Sequence, residues 1–499
     1  MQNVGQRGSR KVFLLALDAT PISFLQENAA AIPNISFLLR HGRYIKTGSP
    51  ANLFSAGAWQ TFASGLMPGE QGHYFPLQWA PSTMNFIPIK QNVLVFEPFW
   101  DDLAHSGVKT IVFDAMTVPL NDDAPGIQVI NWNTQCNFAP SSNRQGILKD
   151  IQRHFGKKPI GDEIPVKKSR RTLAKMRDRL IKSAKLKTDA LLWLMQGFEW
   201  QCFITAYFEG HRAGHNLWPI WDDFSSDPPE EAMLDVYREL DAQIGRVLHA
   251  LDLSKTGLIL FSMHGMAPGY AQDHFLPTVM ERINRLYLIK RGHEVTCRRG
   301  GGLARALRQT VPASVQRHVR ELVGQTVQDW LVDREWRGGK DWKATPGFPV
   351  PGGGDVGFIR LNIQGREREG FLPAKEHATA DYLEFLCRNL SKLRIKGTNT
   401  PLVDEIVMSG VEFPGRLSHL LPDVLVKWHA DSPANEIWSD ELGTIKATLK
   451  TGRGGNHTGD SFAVLAGAMA EADGLPPLSH IRDYKQFLRH YFAQAWGSD

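Results

Sequence analysis

KVFLLAL, residues 11–17, closed by Asp18 and turned by Pro21, is the stretch from which the fold can be read. A half-buried strand would alternate apolar and polar residues. A short continuous apolar run with polar and turn residues at its ends instead fits a strand covered on both faces, as in a parallel sheet. Similar runs recur at 109–113, 202–208, 257–262, 423–427 and 462–465, most of them separated by helix-length stretches. This alternation predicts an α/β domain with helices layered on a largely parallel central sheet. One connecting helix is specified by its own spacing. Between residues 230 and 251, Leu234, Tyr237, Ile244, Val247, Leu248 and Leu251 recur at three- and four-residue steps, and the next strand follows directly.

The chain has 499 residues, 42% hydrophobic and 22% charged, enough to bury a large core. Its 57 Lys and Arg against 52 Asp and Glu leave +5, too dilute over such a surface to mark a general nucleic-acid binder. Cys136, Cys202, Cys297 and Cys387 stand far apart with no CxxC pair, so neither a disulfide framework nor a thiolate zinc site is expected. No apolar run approaches the roughly 18 to 20 residues of a membrane span, and the first one is too short for a signal-peptide core. The expectation is a cytoplasmic protein. Two segments are strongly basic. Residues 165–187 (Lys167, Lys168, Arg170, Arg171, Lys175, Arg177 and Arg179 among them) read as a solvated helix. From 291 to about 354 a run containing Arg298, Arg299, Arg305, Arg308, Arg317 and Arg320 gives way to Trp330, Trp336, Trp342 and the triple glycine 352–354. This reads as an insertion over the core, giving a core of residues 9–290 and 401–499 with an inserted cap at 291–400.

Ligands of open α/β sheets bind beyond the carboxyl ends of the strands, so the polar residues that end the apolar runs are the first candidates for chemistry. Asp18 ends the first run, where it could equally cap a turn. His264 and Gly265 end LILFSMHGM, His211 and His215 follow CFITAYF as an HxxxH pair, and His457 lies in TGRGGNHTGD. Residues four apart share a helix face, and imidazole with carboxylate suits zinc, manganese or iron. The nucleophile candidate is Ser55, in SPANLFSAGAWQ, where Ala58 and Trp59 open a predicted helix. A serine hydroxyl needs a base or a metal to attack, and a plain helix N-cap would explain the same local sequence.

Taken together, these segments resemble the alkaline phosphatase superfamily, in particular its type I phosphodiesterase/nucleotide pyrophosphatase branch. The likeness runs in order through LLALDATP, IPNISFLLRHG, SAGAWQTFASGLMPGEQGH, FWDDLAHSGVKTIVFDAMTVP, YFEGHRAGH, YRELDAQIG, LFSMHGM, FIRLNIQGREREG and GGNHTGDSFAVLAG. It implies a three-layer α/β sandwich with a bimetal centre at the strand ends and a serine or threonine attacking phosphorus. Asp18 matches the first-strand metal ligand and Ser55 the nucleophile. His215 matches the histidine of the D-x-x-x-H pair, His264 that of the S-D-H-G motif, and His457 the late G-x-H ligand. Two positions depart: His211 and Met263 stand where the family carries aspartates. The ligand set implied is therefore Asp18, Ser55, His211, His215, His264 and His457, holding one or two divalent ions, zinc first and manganese or iron as alternatives. Asp273 reads as the start of a capped helix.

Three functions are compatible with this pattern. One is a metal-dependent hydrolase or transferase acting through Ser55 on a small phosphate-bearing substrate, a diester or nucleotide-like ester. Another is sulfate-ester, phosphonate or other cleavage from a mononuclear three-histidine site. The third is a non-catalytic relative that binds a phosphate-bearing ligand.

Overall fold

In a computed structural model of the chain, the described residues are 10–89, 94, 96–134, 138–162, 168–218, 228–293, 341–354, 356–431, 433–448 and 452–496. The chain divides into two compact units, one of residues 1–71, 90–270 and 450–499 and the other of residues 72–89 and 271–449.

The first unit is built on an eight-stranded sheet. Its strands are β1 (Lys11–Leu17), β2 (Arg43–Thr47), β3 (Thr110–Ala115), β4 (Ile127–Ile130), β5 (Ser141–Ser142), β6 (Cys202–Tyr207) and β7 (Thr256–Ser262), followed after a separate hairpin by β10 (Ser461–Gly467). That hairpin pairs β8 (Gly265–Pro268) antiparallel with β9 (Gly455–Thr458). The order across the sheet is β2-β10-β7-β1-β6-β3-β4-β5. β1 lies between β6 and β7 and is parallel to both, and β3 continues the parallel run between β6 and β4. β10 is antiparallel to both β7 and β2.

Central position explains the continuous apolar runs. Val12 to Leu17 are all buried, as is every residue of β6 and β7. The run at 423–427 has a different destination: Val424–Trp428 belongs to the second unit, in a four-stranded sheet where it pairs antiparallel with both neighbours. A short apolar run specifies burial on both faces and leaves the direction of its partners open.

Four helices matter for the site: α1 (Ala58–Ser64), α2 (Arg170–Gly197), α3 (Glu209–Leu217) and α4 (Ala232–Ala250). α2 is a helix with Arg170, Arg171, Lys175 and Arg179 exposed, as its basic segment leads one to expect, and it also carries a buried face. Leu173, Leu180, Ala184, Leu191 and Leu194 are buried along it, and so is Lys187. The basic residues at its start outweigh the apolar ones in composition, but apolar residues at helical spacing still make a buried stripe.

The second unit has its own core, in which Leu276, Val279, Ile283, Ile359, Leu386 and Val424 are buried. Asp273 opens a short 3-10 turn, Asp273–Phe275, ahead of the helix Leu276–Lys290. The insertion expected at 291–400 falls within this unit, and Arg298, Arg299, Arg305, Arg308, Arg317, Arg320, Trp330 and Trp336 lie outside the described residues, as does Lys167. No helix among the described residues is long and apolar enough to cross a membrane.

Candidate metal centre

Asp18 follows the last residue of β1 and is fully buried. The next residue, Ala19, takes a left-handed conformation with φ 51°, which turns the chain sharply off the sheet. The turn is fastened to the end of β7 through Ser262, whose hydroxyl accepts from the Thr20 N–H at 3.0 Å and donates to the His264 carbonyl at 2.8 Å. The loop that carries Asp18 and the loop that carries His264 are thus held as one piece.

His211 and His215 lie one turn apart on α3, which starts directly beyond β6, and both are buried. His457 comes from β9. Two glycines let that strand approach the helix. A Cβ on Gly455 would stand 2.3 Å from the Gly214 carbonyl oxygen, and one on Gly214 would stand 2.3 Å from Met266 Sδ. The Gly454 N–H donates to the His215 carbonyl at 2.9 Å.

Four imidazoles converge here. His211 Nε2 lies 3.0 Å from His215 Nε2 and 2.8 Å from His457 Nε2. The His264 ring is centred 4.9 Å from that of His457 and 5.5 Å from that of His211. His211, His264 and His457 can each offer a ring nitrogen such that all three lie within 4.8 Å of one another.

The opposite ring nitrogens settle the tautomers. His215 Nδ1 lies 2.8 Å from the Gly455 carbonyl oxygen, which only accepts, so Nδ1 carries the proton. His211 Nδ1 lies 2.5 Å from Asp18 Oδ2, so with the carboxylate ionised the same holds there. In the neutral rings, both Nε2 atoms then present lone pairs to each other at 3.0 Å. Two facing lone pairs repel unless a cation stands between them. The donor set therefore fits a divalent metal ion bound through the Nε2 atoms of His211, His215 and His457, with Asp18 orienting His211 from behind.

Burial acts on protonation in the same direction. It drives His215 well below the usual histidine range and His264 down to about 3, so both rings remain neutral donors at physiological pH. Burial also raises Asp18, against the attraction of His264, the hydrogen bond from Trp59 and the attraction of His457. A nearby dication would reverse that rise.

Ser55 is half-buried and begins the 3-10 turn Ser55–Gly57. It is not the cap of α1; Gly57 holds that place and makes no side-chain cap bond. The helix Ala51–Phe54 before it packs against β9, and Trp59, four residues after it, donates its indole N–H to Asp18 Oδ1 at 3.1 Å. Ser55 thus lies on the segment that joins the helix packed against β9 to the helix whose Trp59 reaches Asp18. Met263 is completely buried.

Sequence reasoning did not reach the layer behind α3. There Glu209 accepts from Ser183 Oγ at 2.7 Å, Asn133 Nδ2 at 3.0 Å and the Phe208 N–H at 3.1 Å. Asp114 accepts from the Asn133 N–H at 2.8 Å and pairs with Lys187 Nζ at 2.6 Å. All five side chains, those of Asp114, Asn133, Ser183, Lys187 and Glu209, are buried. Burial lowers the Lys187 pKa, with Asp114 opposing, and raises that of Glu209, with Ser183 opposing. The only trace in the sequence is the Ser183/Lys187 pair one helical turn apart.

An α/β sheet with candidate metal ligands beyond its strand ends is the arrangement of the metal-dependent hydrolases of the alkaline phosphatase superfamily, here with His211 and Met263 at positions where the family resemblance calls for aspartate. The model of the type I phosphodiesterase/nucleotide pyrophosphatase family matches residues 12–431, and the chain belongs to that family of hydrolases. Among solved structures it is similar to phosphonoacetate hydrolase from Sinorhizobium meliloti 1021 in complex with phosphonoformate, at 14% identity over 98% of this chain and 96% of that one, with a TM-score of 0.51. The same enzyme in complex with phosphonoacetate aligns at 13% identity over 98% and 96%, with a TM-score of 0.48. The first of these likenesses agrees with the α/β fold. No curated protein sequence gives a significant match.

Proposed function

We propose that this chain hydrolyses a phosphate ester, a diester or nucleotide-like compound, with Ser55 as nucleophile and a divalent ion, zinc first and manganese or iron as alternatives, held by His211, His215 and His457. The observation that carries this reading is the pair of imidazole lone pairs facing each other at 3.0 Å, an arrangement that calls for a cation. When bound, the ion supplies positive charge that stabilises the developing charge on the phosphoryl oxygens.

The chain's own groups do the rest. Asp18 keeps the His211 ring in the tautomer that presents Nε2, and the Gly455 carbonyl does the same for His215. The Ser55 oxygen forms a bond to phosphorus and the ester oxygen departs with the serine proton; a water oxygen then bonds to phosphorus, the bond to the Ser55 oxygen breaks, and a proton of that water restores the serine hydroxyl. Asp18, His211, His215 and His264 are buried, which limits the screening of these charges by bulk water.

The test is steady-state hydrolysis of aryl phosphate monoesters and diesters by wild type, Ser55→Ala and His215→Ala, each checked for folding by circular dichroism. Phosphonoacetate belongs in the panel because the structural likeness includes a phosphonoacetate hydrolase. We expect both variants to lose at least about 100-fold in kcat/KM. Variants as fast as wild type on every ester would refute the proposal.

A further inference from the structure

Building on that reading, the residues that would hold a second ion do not fit it. Asp18 has both oxygens engaged, Oδ2 with His211 Nδ1 at 2.5 Å and Oδ1 with the Trp59 indole at 3.1 Å. Met263 offers a thioether where the family resemblance calls for a carboxylate, and sulfur of that kind is a poor ligand for a hard divalent ion. Two dications set against one buried carboxylate would leave three positive charges uncompensated, or two with Ser55 ionised, among largely buried side chains. His264 is 2% exposed and neither of its ring nitrogens has a hydrogen-bond partner.

We infer that the centre holds a single ion, that Asp18 acts on His211 and not on the metal, and that His264 is a free neutral imidazole donating its N–H to an oxygen of the bound phosphoryl group. A neutral histidine can polarise an oxygen in this way without taking up a proton beforehand. A His264 ring nitrogen lies within 4.8 Å of ring nitrogens of His211 and His457, on the loop that Ser262 fastens to the Asp18 turn. His264, which the family resemblance makes a metal ligand, thus supplies a hydrogen bond to the substrate instead.

The experiment measures metal content by mass spectrometry and titrates the metal-free protein with cobalt(II), following the visible absorption band. Wild type, Asp18→Asn and His264→Gln are compared. Wild type should saturate at one equivalent. His264→Gln should also take one equivalent, with an unchanged spectrum and affinity, while kcat falls by roughly 100-fold. Asp18→Asn should still take one, with affinity weakened by about 10- to 100-fold, as expected of an outer hydrogen-bond partner. Two equivalents in wild type, with one lost in His264→Gln, would overturn the inference and leave the proposed function standing. A spectrum altered in His264→Gln would also overturn it. No metal uptake by wild type would refute the proposed function itself.

Discussion

Gly455→Ala is the most exacting test of how the centre is built. The new Cβ would stand 2.3 Å from the Gly214 carbonyl oxygen and 2.9 Å from Met266 Sδ, whereas real Cβ atoms essentially never come closer than 3.0 Å. The first obstacle is backbone, so β9 must retreat from α3 by about 0.7 Å or more, since packed interiors yield little. The same displacement stretches the bond from His215 Nδ1 to the Gly455 carbonyl beyond its present 2.8 Å, towards the length at which it ceases to hold the ring. Overpacking of this kind costs about 1–3 kcal/mol, and the lost hydrogen bond adds about 1. His457 moves with β9, so metal affinity should fall as well, by about tenfold or more. Gly214→Ala is the control. Its Cβ meets the Met266 sulfur, the end of a flexible side chain, and should cost less. Competition with a chromophoric chelator gives the affinity, and urea unfolding of the metal-free proteins gives the stability. Wild-type affinity in Gly455→Ala, or a larger loss in Gly214→Ala, would show that the close approach of strand and helix does not set the ligand geometry.

Two further outcomes follow from the buried charges. Lys187→Met should lower the unfolding free energy by about 3–5 kcal/mol in urea titrations, because it leaves Asp114 buried without its cation; a loss below about 1 kcal/mol would mean that the pair carries little. Stability of the metal-free protein should fall on acidification below the unfolded-state histidine value of 6.5. The unfolded chain takes up protons there, while folded His264 stays neutral until about 3 and His215 is also depressed. Each such histidine contributes a slope of about 1.4 kcal/mol per pH unit within its window. Asp18, raised by burial, opposes this only above the unfolded-state carboxylate value of 3.8 and up to its folded-state value. His264→Leu should therefore show a shallower decline between pH 6.5 and 5 than wild type, and equal slopes would exclude His264 as a source.

The parallel strands were legible because burial on both faces leaves an unbroken apolar run, and residues 11–17 form β1 with those bounds. The histidines were legible because strand ends and a four-residue spacing place them where ligands gather. What the sequence hid was mostly relational. Nothing local separates Val424–Trp428 in the second unit from a strand of the main sheet. Nothing local marks Gly214 and Gly455 as the points where helix and strand meet. Trp59 passes for a core aromatic, and its indole bond to Asp18 depends on the packing of α1. Lys187 was hidden by its basic neighbours, since its partner Asp114 is remote in sequence.

The attachments of α3 bear on how the ion relates to the folded chain. The helix is tied at its start through Glu209 to Asn133 and Ser183, and near its end through the His215 carbonyl to Gly454. Neither tie involves a metal ligand atom. In small zinc modules the ion is what makes the chain fold, and its removal undoes them. Here the ligands sit on a scaffold whose own hydrogen bonds and core already fix it, so metal binding and folding become separable events. On the proposed function, an ion bound there would leave, return or be exchanged for another while the architecture around it persists.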